Sequence, residues 1–354
     1  MTSIGELKRR TLESLSRPSY SLRDTELLIM NNNANLFGIN PAVEEVAESF
    51  DFEKLWAYPS EDSDNLRNRI ASDLSVSPDE IIVGNGSDEL LDIVSKTFIN
   101  PGDVFCQVTP TFRMYKFYAV VNMASVKEKV LSNGFTLPVQ EIIDEQAKII
   151  ALCQPNNPTG NLFARGDVKR VLDESPGIAL VDEAYNDFCG SNMIDEVMEC
   201  ERGIDVRTFS KAYGLAGLRA GYAIARKEIV NELRRVRTPF GLNAFTEAVA
   251  VAALDHRDWV DSKVQEMKSE RKYLSDRMTK LGFTVYPSEC NFILCKSPIR
   301  SADLVSSLME KKVAIRDFGS YPMLDDHVRV TIGPREYMDV LLEAVEPMVG
   351  GNQP

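Results

Sequence analysis

Residues 206–222 read VRTFSKAYGLAGLRAGY: a β-prone run stops at Ser210, presents Lys211, and then turns through three glycines, with Arg219 eight residues beyond the lysine. A lysine after a strand is usually an exposed cation. As a neutral amine it is also a nucleophile toward a carbonyl. A second stretch, GNGSDEL (84–90), follows the strand-like run IIV. Its two glycines allow close backbone approach, and Ser87 and Asp88 open a helix whose first N–H groups form an anion site. The same residues also read as an ordinary glycine turn with a Ser/Asp cap. The stretch has neither the GK[ST] ending of a Walker loop nor a full GxGxxG.

Two more stretches sit at strand ends. In QPNNPTG (154–160), two prolines and a glycine fix a tight turn, so Asn156 and Asn157 either cap that turn or aim an amide at a ligand oxygen. In VDEAYNDF (181–188), Asp182 ends a strand, with Glu183 next and Tyr185 three residues on. Asp182 reads either as a helix cap or as a carboxylate held for a cationic ring nitrogen. Ligands of open α/β sheets bind outside the carboxyl ends of the strands, which is where all four stretches lie. Taken together they offer an amine, an anion cradle with an arginine, an acid and an amide. These are the parts that a pyridoxal phosphate site requires.

The elements that must position these residues alternate short β-branched runs with longer amphipathic segments, the pattern of βα units and a mostly parallel sheet. Strands are expected at 81–83, 104–108, 148–153, 177–181, 205–209 and 221–225. In SDELLDIVSKTF (87–98), Leu90, Val94 and Phe98 recur at helical spacing; Val264, Met267, Leu274, Met278 and Leu281 do so in 264–281, and both stripes read as core. The basic run RKEIVNELRRVR (226–237) reads as a solvated helix face. Boundaries are expected near Asn40 and Asp255, giving a large domain over 41–254 and a smaller one from 1–40 and 255–354.

The chain has 354 residues, 44% of them apolar, enough for real cores. Its 40 basic and 53 acidic residues leave a net charge of −13, which opposes nucleic acid and anionic membrane as partners. Six cysteines without a CxxC pair and a start lacking a signal-like apolar stretch point to a reducing cytoplasm. With only His256 and His327, both read as structural, no metal centre is expected.

Eight motifs in order resemble those of the fold-type I pyridoxal-phosphate-dependent aminotransferases, and within them the histidinol-phosphate aminotransferase branch. They are LWAYPS (55–60), LR (66–67), SPDEIIVGNGSDE (77–89), PTFRMY (110–115), QPNNPTG, VDEAY, SKAYGLAGLRAGY (210–222) and RVTIG (329–333). The resemblance implies an α/β fold, with a mostly parallel sheet flanked by helices in the large domain and a smaller α+β domain. It implies that Lys211 carries pyridoxal 5'-phosphate and Asp182 faces its ring nitrogen, while Asn157 and Tyr185 bond the ring oxygen. Ser87, Asp88, Ser210 and Arg219 would hold the phosphate, and Phe112 would cover the ring. Tyr58 would reach a neighbouring subunit's cofactor phosphate, which implies a homodimer. Arg329 would grip the substrate's acidic group, helped by Arg316, Tyr20 and Asn35. The implied reaction is a ping-pong transamination of histidinol phosphate with 2-oxoglutarate; the alternatives are an aromatic or other amino-acid aminotransferase and a threonine-phosphate decarboxylase. One departure is Asn33-Ala34-Asn35-Leu36, where relatives often carry Asn-Glu-Asn-Pro.

Overall fold

The computed structural model describes residues 26–349 together with positions 8, 9, 11, 13 and 15. Its strands, in chain order, are β1 (Leu28–Ile29), β2 (Ile81–Gly84), β3 (Val104–Thr109), β4 (Ser125–Val130), β5 (Ile149–Cys153), β6 (Ile178–Asp182), β7 (Gly203–Thr208), β8 (Gly221–Ala225), β9 (Thr284–Val285), β10 (Phe292–Lys296), β11 (Val313–Ala314), β12 (Arg316–Asp317) and β13 (His327–Thr331).

Seven strands form one sheet in the order β2-β8-β7-β6-β5-β3-β4. The strands β7, β6, β5, β3 and β4 are parallel to one another, and β8 runs antiparallel to both β2 and β7. The sequence explains why the centre is parallel. IIALC in β5 and IALVD in β6 are buried at every position, as strands covered on both faces must be. Alternate residues then serve alternate cores. Ile150, Leu152, Ala179 and Val181 join Val168, Val171 and Leu172 of the helix Arg165–Glu174. Ile149, Ala151, Leu180, Ile204 and Val206 join Leu90, Leu91, Ile93 and Val94 of the helix Ser87–Phe98.

A second sheet, β12-β13-β10-β9, is antiparallel throughout. Phe292, Val328 and Val330 from it share a core with Val264, Met267, Leu274 and Met278 of the long helix Arg257–Lys280. The expected stripe is therefore core, with Leu281 packed at its edge. The short strand β1 pairs in parallel with β11, tying the chain before the first sheet to the chain beyond it.

The basic run 226–237 presents the solvated face expected of it, with Lys227, Glu228, Glu232 and Arg235 exposed. The helix Lys227–Arg234 buries Ile229, Val230 and Leu233. Arg237, beyond its end, is buried too: it donates to the Glu61 carbonyl at 2.6 Å and pairs with Asp62. Its charge is matched locally, so it need not face water. No helix among the described residues is long and apolar enough to cross a membrane.

Candidate active site

Beyond the carboxyl ends of β5, β6 and β7 opens a cavity of about 470 Å³. Ser87, Asp88, Phe112, Asn157, Asp182, Tyr185, Ser210, Lys211, Arg219, Arg316 and Arg329 all line it, bringing together eleven positions picked from the sequence. Two others lie elsewhere. Asn35 does not line the cavity: its Nδ2 donates to the Ala212 carbonyl at 2.9 Å and its Oδ1 accepts from the Phe37 N–H at 2.9 Å. With both ends of its amide bound to backbone, Asn35 braces the lysine loop. Tyr58 is 83% exposed and stacks on Phe240 with ring centroids 4.9 Å apart. Tyr20 lies outside the described residues.

One end of the cavity is built for an anion. The helix Ser87–Phe98 starts from Gly86, at φ +81°, and has no side-chain cap. Its first N–H groups are left to meet whatever binds there. Arg219 stands beside them, donating to Asp88 at 3.0 Å and to the Ser210 hydroxyl at 3.3 Å. Arg219 itself sits at φ +57°, a left-handed conformation uncommon for a side-chain-bearing residue. Glycines make this crowding possible. A Cβ on Gly86 would lie 2.5 Å from an Arg219 nitrogen, and one on Gly221 would lie 2.5 Å from the Ser87 nitrogen. Uncapped N–H groups, a hydroxyl and a guanidinium fit a phosphate.

Lys211 and Asp182 occupy the middle. Lys211 is half-buried, and its amine donates to the Asn32 carbonyl at 3.2 Å. Burial, with Arg329 and Arg219 nearby, lowers its pKa to about 8 against the pull of Asp88 and Asp182. Asp182 is buried at the end of β6, and burial raises its carboxyl to about 6. Two donors hold it lower than burial alone would: the Tyr115 hydroxyl at 2.6 Å on one oxygen and the Ala184 N–H at 3.0 Å on the other.

At the far end the Tyr185 hydroxyl accepts from Asn33 at 2.9 Å and from Asn157 at 3.3 Å, and burial drives its pKa upward. Arg329 is buried near the rings of Phe292 and Phe318, 5.2 and 5.3 Å from their centroids. It donates to the Asn157 side chain and, at 2.8 Å, to the Asn31 carbonyl, while its Nε has no protein partner. Burial lowers its pKa to about 10, leaving it a cation at neutral pH. Asn156, the other amide of its turn, is structural: it accepts from Thr111 at 2.8 Å and donates to Thr159 at 2.7 Å. Sequence reasoning missed Tyr115 and Asn33. Tyr115 stands three residues after Phe112 in PTFRMY, a helical spacing that could have marked it.

The pattern of the family described as aminotransferase class I and II matches residues 25–345. The chain is 36% identical over 298 residues to the histidinol-phosphate aminotransferase of Thermoanaerobacter sp. (strain X514), covering 82% of this chain and 84% of that one. It is 34% identical over 350 residues to the histidinol-phosphate aminotransferase of Ruminiclostridium cellulolyticum (strain ATCC 35319 / DSM 5812 / JCM 6584 / H10), covering 96% and 97%. Its fold is similar to the crystal structure of histidinol-phosphate aminotransferase from Sinorhizobium meliloti in complex with pyridoxal-5'-phosphate, with a TM-score of 0.89 and 22% identity over 97% of this chain and 98% of that one. Fold, site and relatives thus define a pyridoxal-phosphate-dependent aminotransferase of fold type I. The anion cradle, the amine and the paired acid described above are the parts such an enzyme needs. Within the class I and II aminotransferases, the chain belongs to the histidinol-phosphate aminotransferase family.

Proposed function

We propose that this enzyme interconverts histidinol phosphate and 2-oxoglutarate with the corresponding ketone and glutamate by transamination, the direction that forms the amine being a step of histidine biosynthesis in the cytoplasm. The observation that carries this reading is Arg329, a buried cation whose Nε lacks a protein partner at a cavity also lined by Arg316. Guanidinium groups bind phosphate and carboxylate in the same fork geometry, and their raw electrostatics favour a dianion. Arg329 then receives the phosphate of one substrate and a carboxylate of the other in turn.

Bound pyridoxal phosphate supplies an aldehyde for amines and a ring that accepts electrons from the substrate carbon. The chain's residues do the rest. The uncapped N–H groups at Ser87 and Asp88, with Ser210 and Arg219, hold the phosphate. Asp182 keeps a proton on the ring nitrogen by offering it an anion. Asn157 and Tyr185 bond the ring oxygen, and Phe112 covers the ring face. Lys211 Nζ, poised near neutrality, would take the proton from the substrate's Cα and return it to the cofactor carbon that carried the aldehyde. Residues 41–254 form the cofactor-binding domain, and 1–40 with 255–354 the smaller domain. Tyr58 reaches the site of a second copy in a homodimer.

A substrate panel tests the reading. Histidinol phosphate, histidine, phenylalanine, tyrosine, aspartate and threonine phosphate are each incubated with and without 2-oxoglutarate, and glutamate and carbon dioxide are measured. Glutamate should form chiefly from histidinol phosphate, and Arg329→Ala should raise KM for both of its substrates. Glutamate chiefly from aromatic amino acids replaces the substrate assignment. Carbon dioxide from threonine phosphate without an oxo acid defeats transamination.

A further inference from the structure

We propose that Tyr115 is a positioning residue for the cofactor's ring nitrogen, acting through Asp182. Its hydroxyl donates to Asp182 Oδ2 at 2.6 Å, while the Ala184 N–H donates to Oδ1 at 3.0 Å. One donor on each oxygen fixes the plane of the carboxylate and leaves further lone pairs for the cavity side. A hydrogen bond to a charged acceptor is among the stronger ones a protein makes. The tyrosine cannot easily drift. It is 1% exposed and belongs to the same core cluster as Leu90, Phe105, Ala151 and Leu180. It also meets Phe112 edge to face, with centroids 5.4 Å apart at 82°. One short stretch, residues 112–115, therefore supplies both a wall of the cavity and the brace for its acid.

The brace has an electrostatic consequence. Asp182 is faced by Asp88 from the helix Ser87–Phe98, Asp205 from β7, Cys153 from β5, Tyr115, and Lys211 from the loop after β7. Burial and the two aspartates favour its protonated form, which cannot pair with a cationic ring nitrogen. The tyrosine hydroxyl opposes them by favouring the anion. Without it, Asp182 protonates at a higher pH.

This inference rests on Asp182 facing the ring nitrogen, and the test separates the two claims. The full-length chain, stripped of cofactor and checked for an intact melting transition, is titrated with pyridoxal phosphate between pH 5 and 9. Wild type, Tyr115→Phe, Asp182→Asn and the double variant are compared by dissociation constant. Wild-type affinity should fall on acidification, and in Tyr115→Phe that fall should begin about one pH unit higher. In the Asp182→Asn background, adding Tyr115→Phe should change the profile little. A Tyr115→Phe profile that superimposes on wild type overturns the proposal, as does an equal loss in both backgrounds, since Tyr115 is then only a core residue. If Asp182→Asn alone binds like wild type, the placement of Asp182 fails and the inference falls with it. The substrate panel stands independently of that result.

Discussion

At the scale of single residues, the lysine's chemistry is set by where its charge is tolerated. Lys211 is desolvated and lies near Arg329 and Arg219, so folding favours its neutral form and lowers its pKa from 10.5 to about 8. The sign follows directly. Below about pH 8 the neutral, nucleophilic fraction grows roughly tenfold per pH unit, and above it the fraction saturates. The initial rate of yellow adduct formation between cofactor-free protein and pyridoxal phosphate should follow that curve, and borohydride should then fix the pyridoxyl group on Lys211. A rate still climbing tenfold per unit at pH 10 defeats the depressed pKa; peptide mapping of the adduct to another lysine defeats the assignment itself. Lys211, Asp182 and Asn157 were legible in the sequence because each stands at or just beyond the end of a strand. Tyr115 and Asn33 were not. Tyr115 meets Asp182 across 67 positions and Asn33 meets Tyr185 across 152, so neither partner can be read locally, although the spacing of Tyr115 after Phe112 marks the tyrosine itself as a candidate.

At the scale of elements, the buried strands of the seven-stranded sheet announced themselves and its exposed edge did not, while the buried β10 of the second sheet was also missed. All six expected strands are present, each shifted by at most two residues at either end. Strand β4 was missed because SVKEKV is dominated by polar side chains, and four of its six residues are exposed. Its pairing comes from a six-residue parallel register with β3, not from a hydrophobic signal of its own. The turn from β2 into the helix Ser87–Phe98 is the opposite case, where local sequence and function coincide at Gly86. An alanine there must adopt φ +81° with its Cβ 2.5 Å from Arg219. Displacing that guanidinium loosens the anion cradle. Gly86→Ala should therefore weaken pyridoxal phosphate binding by about tenfold or more, equivalent to about 1.4 kcal/mol. Gly217→Ala is the control, because an added Cβ there meets nothing within 4 Å. Equal affinities for the two variants in equilibrium dialysis defeat the cradle.

At the scale of the whole molecule, one surface is out of keeping with a net charge of −13. Phe52, Leu55, Trp56 and Tyr58 lie exposed along a single short stretch, Trp56 at 85%, and Phe240 packs beside Tyr58. A cluster of large apolar side chains in water marks a contact surface more readily than a resting state. If a second copy covers it, Tyr58 is carried to the neighbour's anion cradle and each site is assembled from two chains. That arrangement makes a quantitative demand. Lys211→Ala disables the amine of its own chain, and a Tyr58→Ala variant weakens only the site its partner builds. Mixed one to one and allowed to exchange, the two variants give hybrid dimers as about half of the population, each with one intact site in two. Activity should therefore recover to about a quarter of the wild-type level, although each parent alone is nearly inactive. Recovery should disappear when the two proteins are mixed under conditions that prevent exchange. Sedimentation of an active monomer defeats the shared site. A dimer whose mixtures recover nothing keeps the contact surface but removes Tyr58 from the neighbour's chemistry.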